Sequence, residues 1–106
     1  MSYRYMRVII MFDLPVLTNN ERREYTRFRK YLIKSGFIMM QESVYSKLAQ
    51  NDTAADTVIE NVRKNKPSNG LVQALKMTEK QYSKIVCITG EKKSEVINND
   101  DRLLIL

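Results

Sequence analysis

Residues 4–12, Arg-Tyr-Met-Arg-Val-Ile-Ile-Met-Phe, constrain this chain more than any other segment. Val8, Ile9 and Ile10 are β-branched and favour a strand. Strand side chains alternate between two faces, and beyond Arg7 both faces of this strand are apolar. It must therefore be covered on both sides. The chain has 106 residues, the size of one domain, so the second cover can come from another subunit. Asp13-Leu14-Pro15 ends the strand, because Pro15 lacks an amide donor and restricts Leu14.

The remaining elements follow from periodicity and punctuation. Residues 20–34 read as a helix capped by Thr18 or Asn19, with Glu21 and Glu24 near its positive end. Its apolar stripe is Tyr25, Phe28 and Leu32, with Tyr31 beside it. Gly36 suits a left-handed C-cap. Residues 37–40 read as a second strand and 43–48 as a third. Their link is too short for a crossover, which leaves a hairpin or one long bent strand. Residues 52–64 read as a helix capped by Asn51 or Asp52, with Ala55, Val58, Ile59 and Val62 on one face. Residues 64–70 form a loop, 71–77 a strand and 85–89 another. Residues 91–102 are polar, and 103–106 form an apolar end suited to an edge strand. Met39 and Met40 are expected in the core, and Cys87 is expected to pack in its strand.

The order β-α-β-β-α-β is the ferredoxin-like pattern, an α/β (α+β) fold with additional C-terminal strands. Residues 1–90 form the domain, and residues 91–106 an extension for dimer or partner contacts. Two helices cover one face of such a sheet. The other face needs a second sheet, which points to an isologous homodimer.

Charge narrows the function classes. The formal net charge is +6. The first 50 residues hold nine Arg or Lys against four Asp or Glu, and the rest nine against eight. A positive field concentrated in one half attracts polyanions, although the same balance serves ordinary solubility. No stretch approaches the roughly 18 apolar residues of a membrane span. The start, a short apolar run broken by Asp13 with no small-residue cleavage site, does not read as a signal peptide. One cysteine and no histidine exclude an intrachain disulfide and a Ser-His-Asp triad, and speak against structural zinc. A cytoplasmic location is the expectation.

Two features can carry chemistry. Asp13 stands where the first strand gives way to its loop, so its carboxylate can face solvent and hold Mg²⁺ or Mn²⁺ through oxygen. One carboxylate makes a weak site, but two copies about a two-fold axis can share an ion, which can activate water and neutralise phosphoryl oxygens. Alternatively, Asp13 simply shapes the Asp-Leu-Pro turn. The second feature is the first helix, where Arg22, Arg23, Arg27, Arg29, Lys30 and Lys34 stand against two acidic residues. Such a face matches a phosphate backbone without reading bases. It can also be a solvated face with Glu24 paired to Arg27. Tyr5, Tyr45 and Tyr82 can stack on bases or pack at a dimer seam, and Ser43 and Tyr45 can donate to phosphate.

Three segments in order carry a family resemblance. They are Met11-Phe12-Asp13-Leu14-Pro15, then Arg27-Phe28-Arg29-Lys30-Tyr31-Leu32 with Gly36-Phe37, then Met40-Gln41-Glu42-Ser43-Val44-Tyr45. Leu75-Lys76-Met77-Thr78 and Gln81-Tyr82-Ser83-Lys84-Ile85 also fit. Over about residues 3–90 the chain resembles the small CRISPR-associated protein of the spacer-acquisition machinery, the second core protein of that system. The residue choices look most like the form found beside Cas9-type nucleases. The resemblance implies a ferredoxin-like fold in a symmetric homodimer whose terminal strands cross to the partner, here 85–89 and 103–106. It implies metal-dependent cleavage of single-stranded RNA or duplex DNA that depends on Asp13, with Asp13 of both subunits flanking a divalent ion. It also implies a place between two dimers of the CRISPR integrase, where the protein helps hold and measure the protospacer duplex. Between a nuclease that needs Asp13 and a DNA-binding adaptor that does not, the reading favours the dimeric adaptor as the cellular role, with metal-dependent nuclease activity in isolation; the alternative is a ferredoxin-like ribonuclease or nucleic-acid-binding regulator outside CRISPR.

Overall fold

The computed structural model describes residues 4–90. The elements are β1 (Met6–Asp13), α1 (Asn19–Lys34), β2 (Ile38–Gln41), β3 (Val44–Ala49), α2 (Asp52–Lys64), β4 (Leu71–Thr78) and a short α3 (Glu79–Tyr82). The sheet order is β2-β3-β1-β4, with every neighbouring pair antiparallel. This is the ferredoxin-like arrangement, in which each βαβ crossover skips one strand. β2 and β3 form a hairpin, which settles the choice between a hairpin and one bent strand. Ser43 takes the left-handed φ of 66° in its turn, and the pairing slips between Met39 and Gln41.

Alternation along β1 decides where the core lies. Met6, Val8, Ile10 and Phe12 point under the helices and join Leu14, Phe28, Leu32, Phe37, Tyr45, Ala49, Ala55 and Val62 in one buried cluster. The Phe12 ring meets Phe28 edge-on at 5.2 Å, Tyr25 at 5.9 Å, and stacks on Tyr45 at 5.7 Å. Three aromatic contacts at the last apolar residue of β1 anchor the strand end that carries Asp13.

Both long helices begin where their caps dictate. The Thr18 hydroxyl accepts from the Glu21 amide at 3.0 Å, and the Glu21 carboxylate accepts from the Thr18 and Leu17 amides. This reciprocal pair satisfies amides that have no partner inside the helix. Asn51 accepts from the Ala54 amide at 2.8 Å and starts α2. Lys76 of β4 ties to the first two turns of α2 through Asp52 and Asp56.

The other face of the sheet carries Arg7, Ile9, Met11, Val44, Ser46, Leu48, Leu71, Gln73, Leu75 and Met77, by alternation and register. Ile9 is buried there and Ser46 is 1% exposed. Part of the cover comes from the chain itself. The Tyr82 hydroxyl lies 3.4 Å from Ser46 Oγ, and the Arg7 guanidinium stands 4.2 Å from the centre of the Tyr82 ring. Arg7 also makes a two-pronged pair with Glu79, at 2.8 and 2.7 Å.

Several expectations need correction. Residues 85–88 are not a strand. The Thr78–Gln81 capping box turns the chain into α3 after β4, and Arg7 and Tyr82 hold that turn against the sheet. Among the described residues the following segment pairs with no strand, and Val86 and Ile88 are exposed. Cys87 is exposed rather than packed. Met39 and Met40 lie on the edge strand β2 and are not in the core. Tyr45 is buried beneath the helices, so it is no base-stacking platform and no phosphate donor. The apolar end at 103–106 and the rest of the 91–106 extension lie outside the described residues.

Candidate functional site

Asp13 is the last residue of β1, paired in register with Leu71 of β4. Its neighbour Phe12 points into the core, so alternation sends Asp13 to the opposite, open side. The Asp13 side chain is exposed and has no hydrogen-bond or ion-pair partner among the described residues. Neighbouring backbone fixes its position. The Phe12 amide donates to the Ser43 carbonyl at 3.1 Å, which closes the β2–β3 turn onto the end of β1. On the other side Gly70, at φ +95°, lies so close that an added Cβ would meet the Asp13 carbonyl oxygen at 2.9 Å.

These contacts shape a shallow depression of about 220 Å³ lined by Met11, Phe12, Asp13, Ser43, Val44, Leu71 and Gln73. Among the described residues no three acidic, histidine or cysteine side chains come together. One chain thus offers a single carboxylate, with the oxygens of Ser43 and Gln73 in the same depression. Oxygen donors of this kind suit a hard divalent cation, but one negative charge makes half of a site.

A second network braces the loop that carries Gly70. Arg27 donates to the carbonyls of Asn65 and Lys66 at 3.3 and 3.1 Å, and to the Glu24 carboxylate at 3.2 Å. Glu24 accepts in turn from the Ser68 amide at 3.3 Å. The Arg27 hydrogen bond, and then the Ser68 amide, hold the Glu24 carboxyl below its ordinary range. Pro67 is buried in this loop. The loop therefore reaches Asp13 and Leu14 from an anchor on α1.

The six basic residues of α1 divide by what they touch. Arg22 donates to the carbonyls of Val16 and Leu17 and to the Asn19 side chain. Arg27 belongs to the loop brace. Arg23, Arg29, Lys30 and Lys34 are exposed, with no partner among the described residues. Arg23, Arg27, Lys30 and Lys34 are spaced four, three and four apart, so they form one stripe. Arg27 bonds the carbonyls just past α2, and the end of that helix carries three further cations, Arg63, Lys64 and Lys66. Those three cations were missed in the sequence, where Lys64 and Lys66 read as loop.

The open face is the remaining feature. Ile38, Leu48, Leu71 and Leu75 are each 42–54% exposed on it. On the opposite, helix-covered side of the sheet, between α2 and the β4 edge, Ile10, Ile59, Val62, Val72 and Ala74 line a groove of about 370 Å³, with Arg63 and Lys66 among its lining. No helix among the described residues is long and apolar enough to cross a membrane.

Comparison with known proteins agrees with this geometry. Residues 6–85 match the family model described as CRISPR associated protein Cas2. The chain is 57% identical over 101 residues to a CRISPR-associated endoribonuclease Cas2 of Treponema denticola, covering 95% of this chain and 100% of that one. Proteins of the same name from Ligilactobacillus salivarius and Streptococcus mutans are 46% and 44% identical, over 95% of this chain and 100% and 93% of theirs. A family match across the whole described sheet, with relatives aligned nearly end to end, leaves one assignment: the chain belongs to the Cas2 family of CRISPR-associated proteins.

Proposed function

We propose that this protein is a homodimeric, metal-dependent endonuclease of the CRISPR spacer-acquisition stage, with Asp13 from two subunits holding one Mg²⁺ or Mn²⁺ ion. The observation that carries this reading is the exposed Asp13, with no partner among the described residues, at the rim of a sheet face that the chain covers only in part. Burying that face against a second copy brings two such carboxylates toward a two-fold axis, and supplies the second negative charge that one chain lacks. The exposed residues Ile85, Val86 and Ile88 supply an apolar segment for the partner's β4 edge and its adjoining groove. When bound, the ion neutralises phosphoryl oxygens and lowers the pKa of a coordinated water. Asp13 holds the ion, and the chain has no histidine to serve as a separate base. The relatives' name, endoribonuclease, supports RNA as a substrate.

A second reading is favoured by the basic stripe. Arg23, Lys30 and Lys34, with the cations at the end of α2, offer phosphate contacts away from Asp13. In this reading the dimer is an adaptor that holds the protospacer duplex for the CRISPR integrase, and Asp13 is dispensable.

The test is cleavage of single-stranded RNA and of duplex DNA by wild-type and Asp13→Ala protein, with Mg²⁺, Mn²⁺ or chelator. Metal-dependent cleavage by wild type alone supports the nuclease. No cleavage by either protein, with duplex binding intact, supports the adaptor. Equal cleavage by both removes Asp13 from the chemistry.

A further inference from the structure

The chain covers its open sheet face unevenly. After β4, α3 turns back over that face. The Tyr82 hydroxyl reaches Ser46 Oγ on β3, two strands away from β4. Its ring lies 4.2 Å from the Arg7 guanidinium on β1. Glu79 holds the same guanidinium in a two-pronged pair, and its amide donates to the Tyr5 carbonyl at 2.9 Å. The Arg7 side chain is only 13% exposed, so this fork is sheltered and outweighs an ordinary surface ion pair. Beneath the strap the register partners Ile9 and Ser46 are 5% and 1% exposed, whereas Leu71 and Leu75 on β4 are 54% and 46% exposed. The uncovered part is continuous beside Asp13. It holds Val44, Met11 and Gln73 in one register row, Leu71 opposite Asp13, and Leu75. Leu48 is exposed as well, but it lies beyond the covered Ile9–Ser46 row.

Facing sheets pack about 10 Å apart, and a helical turn with its side chains is about as thick. A second sheet cannot lie over the area that α3 and Tyr82 fill. The apolar pattern by itself sets no register, because residues two apart share a face. A slip of two residues, about 7 Å, exchanges Leu71 for Gln73 or Leu75 and keeps much of the apolar contact. It also parts two carboxylates that must share one ion. We infer that α3 is a stop that sets the register of the second copy, with Arg7, Glu79 and Tyr82 as positioning residues. It confines the second sheet to the part of the face beside Asp13. The two-fold axis then falls there, and the two Asp13 carboxylates meet. This rests on the shared-ion reading of Asp13 given above.

The test is a cross-link between copies, which needs no cleavage. Cys87→Ser removes the natural thiol, and Asp13→Cys places one at the rim of the face. A short bis-methanethiosulfonate reagent joins thiols that the two-fold axis brings together, and light scattering gives the mass of each protein. With α3 intact, a protein of twice the chain mass that cross-links through the introduced thiol is expected. In that background Tyr82→Ala and Glu79→Gln should each keep the double mass and lose most of the cross-link. Tyr82→Phe keeps a ring over Arg7 and should retain it. Cross-linking that is unchanged in both Tyr82→Ala and Glu79→Gln overturns the stop and leaves the shared ion standing. A single-chain mass in either variant also overturns it, because α3 is then part of the seam and not its limit. A double mass without cross-linking when α3 is intact removes the paired Asp13, and the stop with it. Should Tyr82→Ala fail to fold, Glu79→Gln decides, since it removes a charge at nearly constant volume.

Discussion

Gly70 touches the backbone of Asp13 where only a hydrogen atom fits. A Cβ there would stand 2.9 Å from the Asp13 carbonyl oxygen and 2.7 Å from Leu14 Cδ2, and the φ of +95° adds strain for any L-residue. Both penalties act on the turn that aims the Asp13 carboxylate. Gly70→Ala is therefore expected to cost roughly 2–4 kcal/mol of stability in urea unfolding. It should also lower Asp13-dependent cleavage under conditions where the protein remains folded. Unchanged stability with unchanged cleavage would show that the loop does not constrain Asp13.

Phe12 should matter for stability more than its neighbours suggest. It is buried among three aromatic rings at the end of β1. Phe12→Ala leaves a cavity under the candidate site and is expected to cost about 3–5 kcal/mol. Phe12→Leu keeps most of the volume and should cost less. Thermal denaturation of both variants checks the order.

Much of this arrangement is visible in the chain and some of it is not. The alternation through Val8, Ile10 and Phe12 and the caps at Thr18 and Asn51 are local signals, so the strand, both long helices and the ferredoxin-like order follow from them. Asp13 is legible because Pro15 stops the strand just beyond it. The strand expected at 85–89 fails for a nonlocal reason. Its β-branched residues have the right propensity, but the capping box at Thr78 and the pair between Arg7 and Glu79 redirect the chain first. Met39 and Met40 look like core by hydrophobicity, and only the position of β2 at the sheet edge leaves Met39 exposed and Met40 half-buried. The Glu24–Arg27 pair is legible from spacing, but the rest of the division of the α1 cations is not, because the backbone acceptors of Arg27 lie about forty residues away.

The two shifted groups give opposite pH responses. The Arg27 hydrogen bond, then the Ser68 amide, depress the Glu24 pKa. The stability this adds is present above the unfolded value near 4.5 and is lost as pH falls through the lower folded value. Hydrogen bonds to Asp56, then Asp52, raise the Lys76 pKa. That contribution is complete below the unfolded value of 10.5 and is lost as pH rises through the higher folded value. The Tm difference between wild type and Glu24→Gln should thus shrink on acidification below the unfolded value of 4.5. The difference for Lys76→Met should hold from neutral pH and shrink only above about pH 10.5. Differences that are flat across both windows would show that neither group is linked to folding.

The apolar open face gives a prediction about assembly. If two copies bury it, light scattering at micromolar concentration should give twice the chain mass. Leu75→Glu places a charge on that face, and Ile88→Glu places one on the exposed segment after α3. Leu75→Glu should lower the mass toward that of a single chain, because a carboxylate buried at the seam without a partner is strongly unfavourable. Ile88→Glu does the same if the segment docks on the second copy. A single-chain mass for wild type would remove the second Asp13, and with it the shared ion.

The cations of α1 should not contribute equally to nucleic-acid binding. Arg22 and Arg27 already spend their hydrogen bonds within the chain, whereas Arg23 and Lys30 face solvent on one stripe. Arg23→Ala with Lys30→Ala is expected to weaken duplex binding across all sequences and to reduce the slope of log K against log salt by about 2. Arg27→Ala should act differently. It releases the carbonyls of Asn65 and Lys66 and leaves Glu24 without its partner, so it should lower the Tm and change the salt slope by less than one contact. Equal salt slopes for wild type and the double variant would move the phosphate contacts off α1. The cations at the end of α2, Arg63, Lys64 and Lys66, would then be the next group to replace.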